Sequence, residues 1–320
     1  MEAEVYHKYS DFLKEKHGAK TYKLSINLPL TCPNRDGLLD NRGCHYCGEE
    51  AAGFESEPSE SIRDQMLDLK DHISDRYNAE KFIAYFQNFT TTYQPLSQLQ
   101  DYVKKALTVE EVVEVVLSTR PDCVSDEYLQ GVKQVVNSSN DKIDLSLELG
   151  LQSVNYHTLK KANRRHTLAH FIDAVKTAKN WGFEVGAHLI LNLPGDNIVD
   201  VKENARILSA LEIDTVKLHA LYLREGTEFA RLFQEGELEI ISQEKYIDRV
   251  ITFLEFLDPQ IAVQRLLGRA PDEGSVFVNW GQDNRQIHQQ IIRQMKKRNT
   301  CQGRKFNYLQ GSCLQKFAEE

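Results

Sequence analysis

The chain has 320 residues, 41% of them hydrophobic, which is enough for one large core. A net charge of −8 excludes a chain-wide attraction to nucleic acid, and six unevenly clustered cysteines exclude a disulfide framework and suit a reduced, cytoplasmic setting. The opening MEAEVYHKYS is polar and mixed in charge, unlike a secretion signal, and no apolar run reaches the length of a membrane span, so no membrane partner is expected.

In chain order, residues 22–28 (YKLSINL) predict the first strand. A loop carrying Cys32, Cys44 and Cys47 follows, with eleven residues between the first two cysteines and two between the last pair. Residues 61–76 predict a helix with Ile62, Met66, Leu69 and Ile73 on one face. Strands are predicted at 82–87, 112–118 and 143–149. The next helix, 168–181, aligns Leu168, Phe171, Ile172, Val175, Ala178 and Trp181 behind an N-capping Thr167. Strands at 184–191, 214–220 and 261–266 complete the series. Such alternation implies βαβ units, hence a parallel sheet with helices outside.

The strand faces carry a second message. In 144–152, Asp144, Ser146, Glu148, Gly150 and Gln152 alternate with four leucines. In 184–192, Glu184, Gly186, His188, Ile190 and Asn192 alternate with apolar residues, as do Lys217 and His219 further on. Parallel strands are normally buried on both sides. The apolar face must meet the helices, so the polar face must line an interior cavity. A curved, incompletely closed barrel with a polar lumen meets both conditions, with ligands at the C-terminal ends of its strands, where the cysteine loop also lies. Glu148 points into that lumen by strand parity, and an acid there needs a partner, either a ligand or a lumen cation such as Arg164 or Lys217.

Three thiolates can hold a four-iron cluster and leave one iron open for chemistry. A structural zinc site would be closed by a fourth ligand, here His45 or His17. Spacing alone leaves both readings open. Cys123, Cys301 and Cys313 stand alone and read as packing or surface thiols. From Asn284 to Ala318 there are eight Lys or Arg and no acid, so the remainder carries −16. Arg293, Lys296, Lys297 and Arg298 lie on a predicted helix, and Phe306 and Tyr308 follow. The run reads either as a solvated face or as a phosphate-contacting surface for RNA.

The segment LTCPNRDGLLDNRGCHYCG resembles the cluster loop of radical S-adenosylmethionine enzymes, in the variant with a long first gap. The stretch from Glu148, with LGLQS, RRHT and NLPG, is similar to the Elongator and oxygen-independent coproporphyrinogen oxidase branches. Tyr85–Tyr93, Val263–Leu266, Trp280 and Gln302–Gly303 add a likeness to the bacterial YhcC/YtqA-like family. The resemblance implies an α/β fold, an incomplete (β/α)6 TIM-like barrel over 21–268, with an N-terminal extension 1–20 and a basic C-terminal extension 269–320. It implies a [4Fe-4S] cluster on Cys32, Cys44 and Cys47, reductive cleavage of S-adenosylmethionine to a 5′-deoxyadenosyl radical, and a flavodoxin- or ferredoxin-type electron donor. Gln87, Asn88, Glu148, Gln152, Arg164, His188 and Lys217 are the expected contacts to S-adenosylmethionine, with Arg165 the neighbour competing for the role of Arg164. His219, Arg265, Arg293, Lys296, Lys297 and Arg298 are the expected substrate contacts. The implied substrate is wobble uridine in tRNA, its 5-carboxymethylaminomethyl group converted to 5-aminomethyl. A small molecule or a peptide is the alternative substrate of such an enzyme, and a non-enzymatic zinc-stabilised RNA-binding module is the alternative from another class.

Overall fold

The computed structural model of the chain describes residues 4–48, 61–268 and 274–317. Seven parallel strands form one half-barrel sheet: β1 (Thr21–Ile26), β2 (Lys81–Phe86), β3 (Val112–Thr119), β4 (Asp144–Gln152), β5 (Glu184–Ile190), β6 (Thr215–His219) and β8 (Ala262–Arg265). Each pairs with its predecessor in the chain, except that β8 follows β6 directly. The expected six-stranded barrel is thus present, and the seventh predicted strand extends the same sheet. Between β6 and β8 lies β7 (Leu223–Arg224), which pairs antiparallel with β9 (Ser275–Phe277) in a two-stranded sheet of its own. These two pieces have only two and three residues, too short for a period-2 pattern to show.

Helices cover the outside: α2 (Ile62–Tyr77), α3 (Leu96–Ala106), α4 (Asp126–Asn137), α5 (Tyr156–Lys161), α6 (Leu168–Asn180), α7 (Ile198–Ala210), α8 (Glu228–Gln234) and α9 (Gln243–Phe256) follow α1 (Tyr9–His17), and α10 (Asn284–Lys297) closes the series. The predicted apolar stripes meet the sheet. Met66 of α2 and Phe171 and Val175 of α6 join Leu24, Phe86, Leu117, Leu147 and Val185 in one core. Thr167 starts α6, its N–H donating to His170 Nδ1 at 3.1 Å. In α10, Ile287, Ile291 and Met295 are buried, leaving Arg285, Arg293, Lys296, Lys297 and Arg298 exposed.

The N-terminal extension is more than an appendage. Helix α1 plugs the lumen from the end where the strands begin. Its Leu13, with Tyr9 and Phe12, packs on the inward-facing Ile83, Tyr85 and Val116. Below them Glu114 accepts hydrogen bonds from Lys16 at 3.0 Å and from Ser146, and lies 3.1 Å from His17 Nε2. The C-terminal extension is stitched to both: the Gln302 side chain accepts from the His7 N–H at 2.9 Å and donates to the carbonyls of Asp258 and Ile261. The expected boundary at residue 269 abuts 269–273, outside the described residues.

Burial works against the Glu114 charge, yet His17, Lys16 and Ser146 hold the carboxyl down at about 2, below its ordinary 4.5. A depressed carboxyl adds stability that is present above pH 4.5 and is lost as pH falls toward 2. Glu114→Gln, which removes the carboxylate shared by Lys16, His17 and Ser146 while Lys16 keeps Glu184 at 2.7 Å, is expected to lower unfolding stability by about 1–3 kcal/mol at pH 7. Urea unfolding should also show a shallower loss of stability between pH 5 and pH 3 in the variant than in the wild type.

Candidate active site

The lumen opens at the C-terminal ends of the strands into a cavity of about 220 Å³. Its wall is the cysteine loop, and its floor is made by inward side chains of the strands. Cys44 is buried, Cys32 and Cys47 are half-buried, and all three are free thiols lining this one space.

The loop has no regular structure, so its shape rests on specific bonds. Asn34, fully buried, donates to the Asn163 carbonyl at 2.6 Å and approaches Cys44 Sγ at 3.4 Å. Asn163 in turn donates to the Gly43 carbonyl at 2.7 Å. The His45 N–H donates to the Ala162 carbonyl at 3.1 Å, and Arg35 holds the Cys47 carbonyl at 2.6 Å. The loop is therefore clamped onto residues 162–164, which lead into the RRHT segment, 164–167. Arg164 completes the clamp, with Nη1 3.3 Å from Cys44 Sγ, Nη2 on the Gly150 carbonyl at 2.9 Å and Nε on His166 Nε2 at 3.0 Å. Gly150 leaves the room for this: a Cβ there would meet Arg164 Nη2 at 3.0 Å and Gln152 Nε2 at 2.9 Å. Arg165 points away, exposed and paired with Asp40, so of these two neighbours it is Arg164 that lines the cavity. Burial, with Cys44 beside it, pushes the Cys47 thiol up to about 11.

A polar layer forms the floor. Glu148 Oε1 accepts from Lys23 and from Gln264 at 2.8 Å; Oε2 accepts from the Tyr85 hydroxyl at 2.7 Å and from Lys217 at 3.0 Å, and lies 2.7 Å from His188 Nε2. Burial alone would raise this carboxyl, but Lys217, Lys23 and His188 hold it well below the usual carboxylate range. Gly186 makes the layer possible, because a Cβ there would sit 2.6 Å from Thr215 Oγ1 and 3.2 Å from Glu148 Cγ. Burial, then Lys217, pulls the His188 ring down to about 4, so it is neutral near pH 7.

Of the residues expected from sequence, Gln87, Gln152, Arg164, His188, Lys217, His219 and Arg265 join the cysteines around the cavity. Glu148 and Asn88 do not line it. Glu148 is spent on protein partners beneath the floor, and Asn88 ties β1 to β2 through the backbone N–H and carbonyl of Leu28. Arg293, Lys296, Lys297 and Arg298 lie on or just after α10, outside the lining, with Arg298 paired to Asp248. His17, one of two candidate zinc ligands, sits at the opposite end of the lumen on Glu114, and His45 turns its Nδ1 to the Lys161 carbonyl. Among the described residues, no three His, Cys, Asp or Glu side chains are grouped to hold a single metal ion.

Sequence reasoning passed over Asn34, Tyr46, Tyr85, Arg120 and Lys23. Tyr46 stands between two cysteines, and Arg120 directly follows a barrel strand; both positions were signals. Lys23 and Tyr85 share the inward parity of their strands. Arg120 forms a bidentate pair with Asp122 and donates to the Arg164 carbonyl at 2.9 Å. Several buried atoms on the cavity wall, among them Asn34 Oδ1, Tyr46 OH, Thr90 Oγ1 and Arg120 Nη1, have no hydrogen-bond partner among the described residues. Such atoms suit a polar occupant, and thiols with an adjacent guanidinium suit an anionic cluster.

Two outcomes follow from this geometry. Glu148→Leu strands Lys23 and Lys217 and is expected to cost about 3–5 kcal/mol in urea unfolding; a loss below about 1 kcal/mol would contradict the layer. Asn34→Ala is expected to cost about 1–3 kcal/mol and to lower the iron and acid-labile sulfide retained after anaerobic reconstitution.

A family model described as the radical SAM superfamily matches residues 41–208, and a radical SAM C-terminal domain matches 213–297. The protein YtqA of Bacillus subtilis is 30% identical over 306 residues, covering 95% of this chain and 94% of that one. A tRNA uridine(34) acetyltransferase of Methanocaldococcus infernus is 28% identical over 151 residues, 46% of this chain and 27% of the relative. The solved structure of archaeal Methanocaldococcus infernus Elp3, at 17% identity, shares the fold with a TM-score of 0.67, covering 89% of this chain, which spans 64% of that one. With just over half of its length matched by the superfamily model and nearly all of it aligned to YtqA, the chain belongs to the radical SAM superfamily.

Proposed function

We propose that this radical SAM enzyme modifies the C5 side chain of wobble uridine in tRNA, in the manner of a 5-carboxymethylaminomethyl to 5-aminomethyl conversion. Enzymes of this superfamily use a [4Fe-4S] cluster and S-adenosylmethionine and need a reductant; a flavodoxin- or ferredoxin-type protein is the donor class we propose. The donor set of the cavity fits the cluster: Cys32, Cys44 and Cys47 would hold it, and a cluster offers a separate iron to each thiolate, so the three need not converge on one ion. When bound, the reduced cluster would supply one electron to the sulfonium of S-adenosylmethionine, whose S–C5′ bond then breaks to leave methionine and a 5′-deoxyadenosyl radical able to take hydrogen from substrate.

The chain's own residues do the rest. Arg164 sets positive charge against the Cys44 sulfur and fixes the loop to the end of β4. Gln87 and Gln152 line the cavity wall, which supports a role in orienting S-adenosylmethionine. The floor of Tyr85, Lys217 and His188 closes the lumen below the reacting groups and limits water.

The observation that carries the substrate half is the exposed face of α10 and the segment after it, where Arg285, Arg293, Lys297 and Arg304 stand with no acid between Asn284 and Ala318. Such a face suits a phosphate backbone. The likeness to a tRNA uridine(34) acetyltransferase supports the same reading.

Anaerobically reconstituted protein with dithionite is expected to form 5′-deoxyadenosine, faster with bulk tRNA lacking late wobble modifications, and not at all as Cys44→Ala. Formation that no tRNA stimulates would move the substrate to a small molecule or a peptide. The double variant Arg293→Glu, Lys297→Glu is expected to weaken tRNA binding and to flatten its salt dependence by roughly two charges' worth of slope. Unchanged binding would remove α10 from the interface.

A further inference from the structure

We propose that Lys217, at the floor of the cavity, is an anion-binding residue that receives a carboxylate or phosphate oxygen of the substrate. The anion site rests on the cavity alone; naming the substrate as its source rests on the RNA reading above.

The argument begins with a charge imbalance in the floor. Two ammonium groups, Lys23 and Lys217, share a single carboxylate, Glu148. The two rings beside them add no charge near neutral pH, since burial holds His188 and His219 below the usual histidine range. With Lys217 protonated, this layer therefore carries a surplus positive charge in a buried place, where a surplus is costly. Lys23 lies under the floor and spends its donors on Glu148 and Gln264. Lys217 alone of the two faces the cavity. Its ammonium has three donors, of which Tyr85 takes one at 2.8 Å and Glu148 one at 3.0 Å.

The other cationic groups at the cavity wall are differently placed. Arg164 stands against a cluster-ligand sulfur, Arg35 holds the Cys47 carbonyl, and Arg120 is paired with Asp122 and donates to the Arg164 carbonyl. The thiolates answer the positive charge at the wall, so the cofactor's negative groups belong there. Nothing comparable answers Lys217. Burial, with Lys23 and Arg265 near, pulls its ammonium down to about 7, a strain that an incoming anion relieves. His219 and Arg265, whose Nη2 lies 3.0 Å from His219 Nδ1, border the same corner. Gly268 permits that approach, because a Cβ there would stand 2.9 Å from His219 Nδ1.

The test uses the reconstituted holoenzyme and two anticodon hairpins, identical except that the wobble uridine carries 5-carboxymethylaminomethyl in one and 5-aminomethyl in the other. Binding is measured by fluorescence anisotropy for the wild type, Lys217→Met, Lys217→Arg and Lys23→Met. Glu148 keeps four of its donors in Lys217→Met, so the fold is expected to survive. A carboxylate hairpin that binds about tenfold tighter, with the difference erased in Lys217→Met and largely kept in Lys217→Arg and Lys23→Met, identifies the anion as the side-chain carboxylate. Hairpins that bind alike, both weakened in Lys217→Met but not in Lys23→Met, identify it as a phosphate. Lys23→Met removes the same charge from below the floor, so equal losses in the two variants would reduce Lys217 to a structural role and overturn the proposal. Binding indifferent to Lys217→Met would also overturn it while leaving the RNA reading intact. If neither hairpin binds, the RNA reading fails, and the anion site is judged by mass spectrometry. Protection of Lys217 from reductive methylation by inorganic phosphate or acetate sustains it; equal labelling with and without them ends it.

Discussion

One ionised carboxylate in the middle of the lumen organises the half-barrel. Taking Glu148 out of water costs several kcal/mol unless each oxygen is answered. The answers come from almost every strand: Lys23 on β1, Tyr85 on β2, His188 on β5, Lys217 on β6 and Gln264 on β8. An open sheet has two unpaired edges, and here those edges are β1 and β8. The Lys23 ammonium on one edge donates to Gln264 on the other at 2.8 Å, so side chains span a gap that backbone ladders leave open. Helix α1 fills the same gap from below, with a parallel bridge from Lys8 to Val263. The curvature that makes a cavity is thus tied to a buried charge, and the charge is tolerable because of the curvature.

The layer divides the lumen by purpose. Beneath it the partners are protein: Glu114 with Lys16, His17 and Ser146, and Leu13 against Ile83 and Val116. Above it the polar groups face space, and some buried atoms there lack partners among the described residues. Four of the eleven non-glycine residues with left-handed φ among the described residues lie at this site. Phe89 and Gln152 line the cavity with φ of 49° and 71°, and Asn163 and Arg165 in the clamp segment take 52° and 65°. Non-glycine residues hold such angles only where their surroundings insist. Here the insistence comes from the Asn34, Asn163 and Arg164 bonds that fix the cysteine loop.

Much of this was legible in the chain because period-2 alternation in a parallel sheet has few physical meanings. Polar residues at Ser146, Glu148, His188 and Lys217 could not face helices, so they had to face a lumen, and they do. Parity fixed direction but not partners. Glu148 needed either a ligand or a cation, and only the packing of β1 and β8 against β4 revealed that protein donors are numerous enough to leave it none for a ligand. Lys23 carried the same parity signal within YKLSINL but lacked a neighbour to draw attention to it. Asn34 and Asn163 were invisible for a different reason: loop bonds at 2.6 and 2.7 Å join residues more than a hundred positions apart, and no local pattern encodes them. The β7–β9 pair escaped because a ladder of two or three residues is set by tertiary contact rather than by strand propensity.

Substrate choice and cofactor binding draw on different parts of this architecture. The cysteine loop is held by Arg164 of the RRHT motif, which reaches both the Cys44 sulfur and the Gly150 carbonyl of β4, so a change at Arg164 bears on loop and strand together. The cations proposed for a substrate sit elsewhere, on β6 and β8 at the floor and on the outer face of α10. An RNA bound as proposed would have to satisfy both, with its backbone on α10 and one base delivered into the lumen. Flipping a base out of its stack costs a few kcal/mol, least where it is already unpaired. An anticodon loop meets that condition at its wobble position, whereas a paired base in a helix does not.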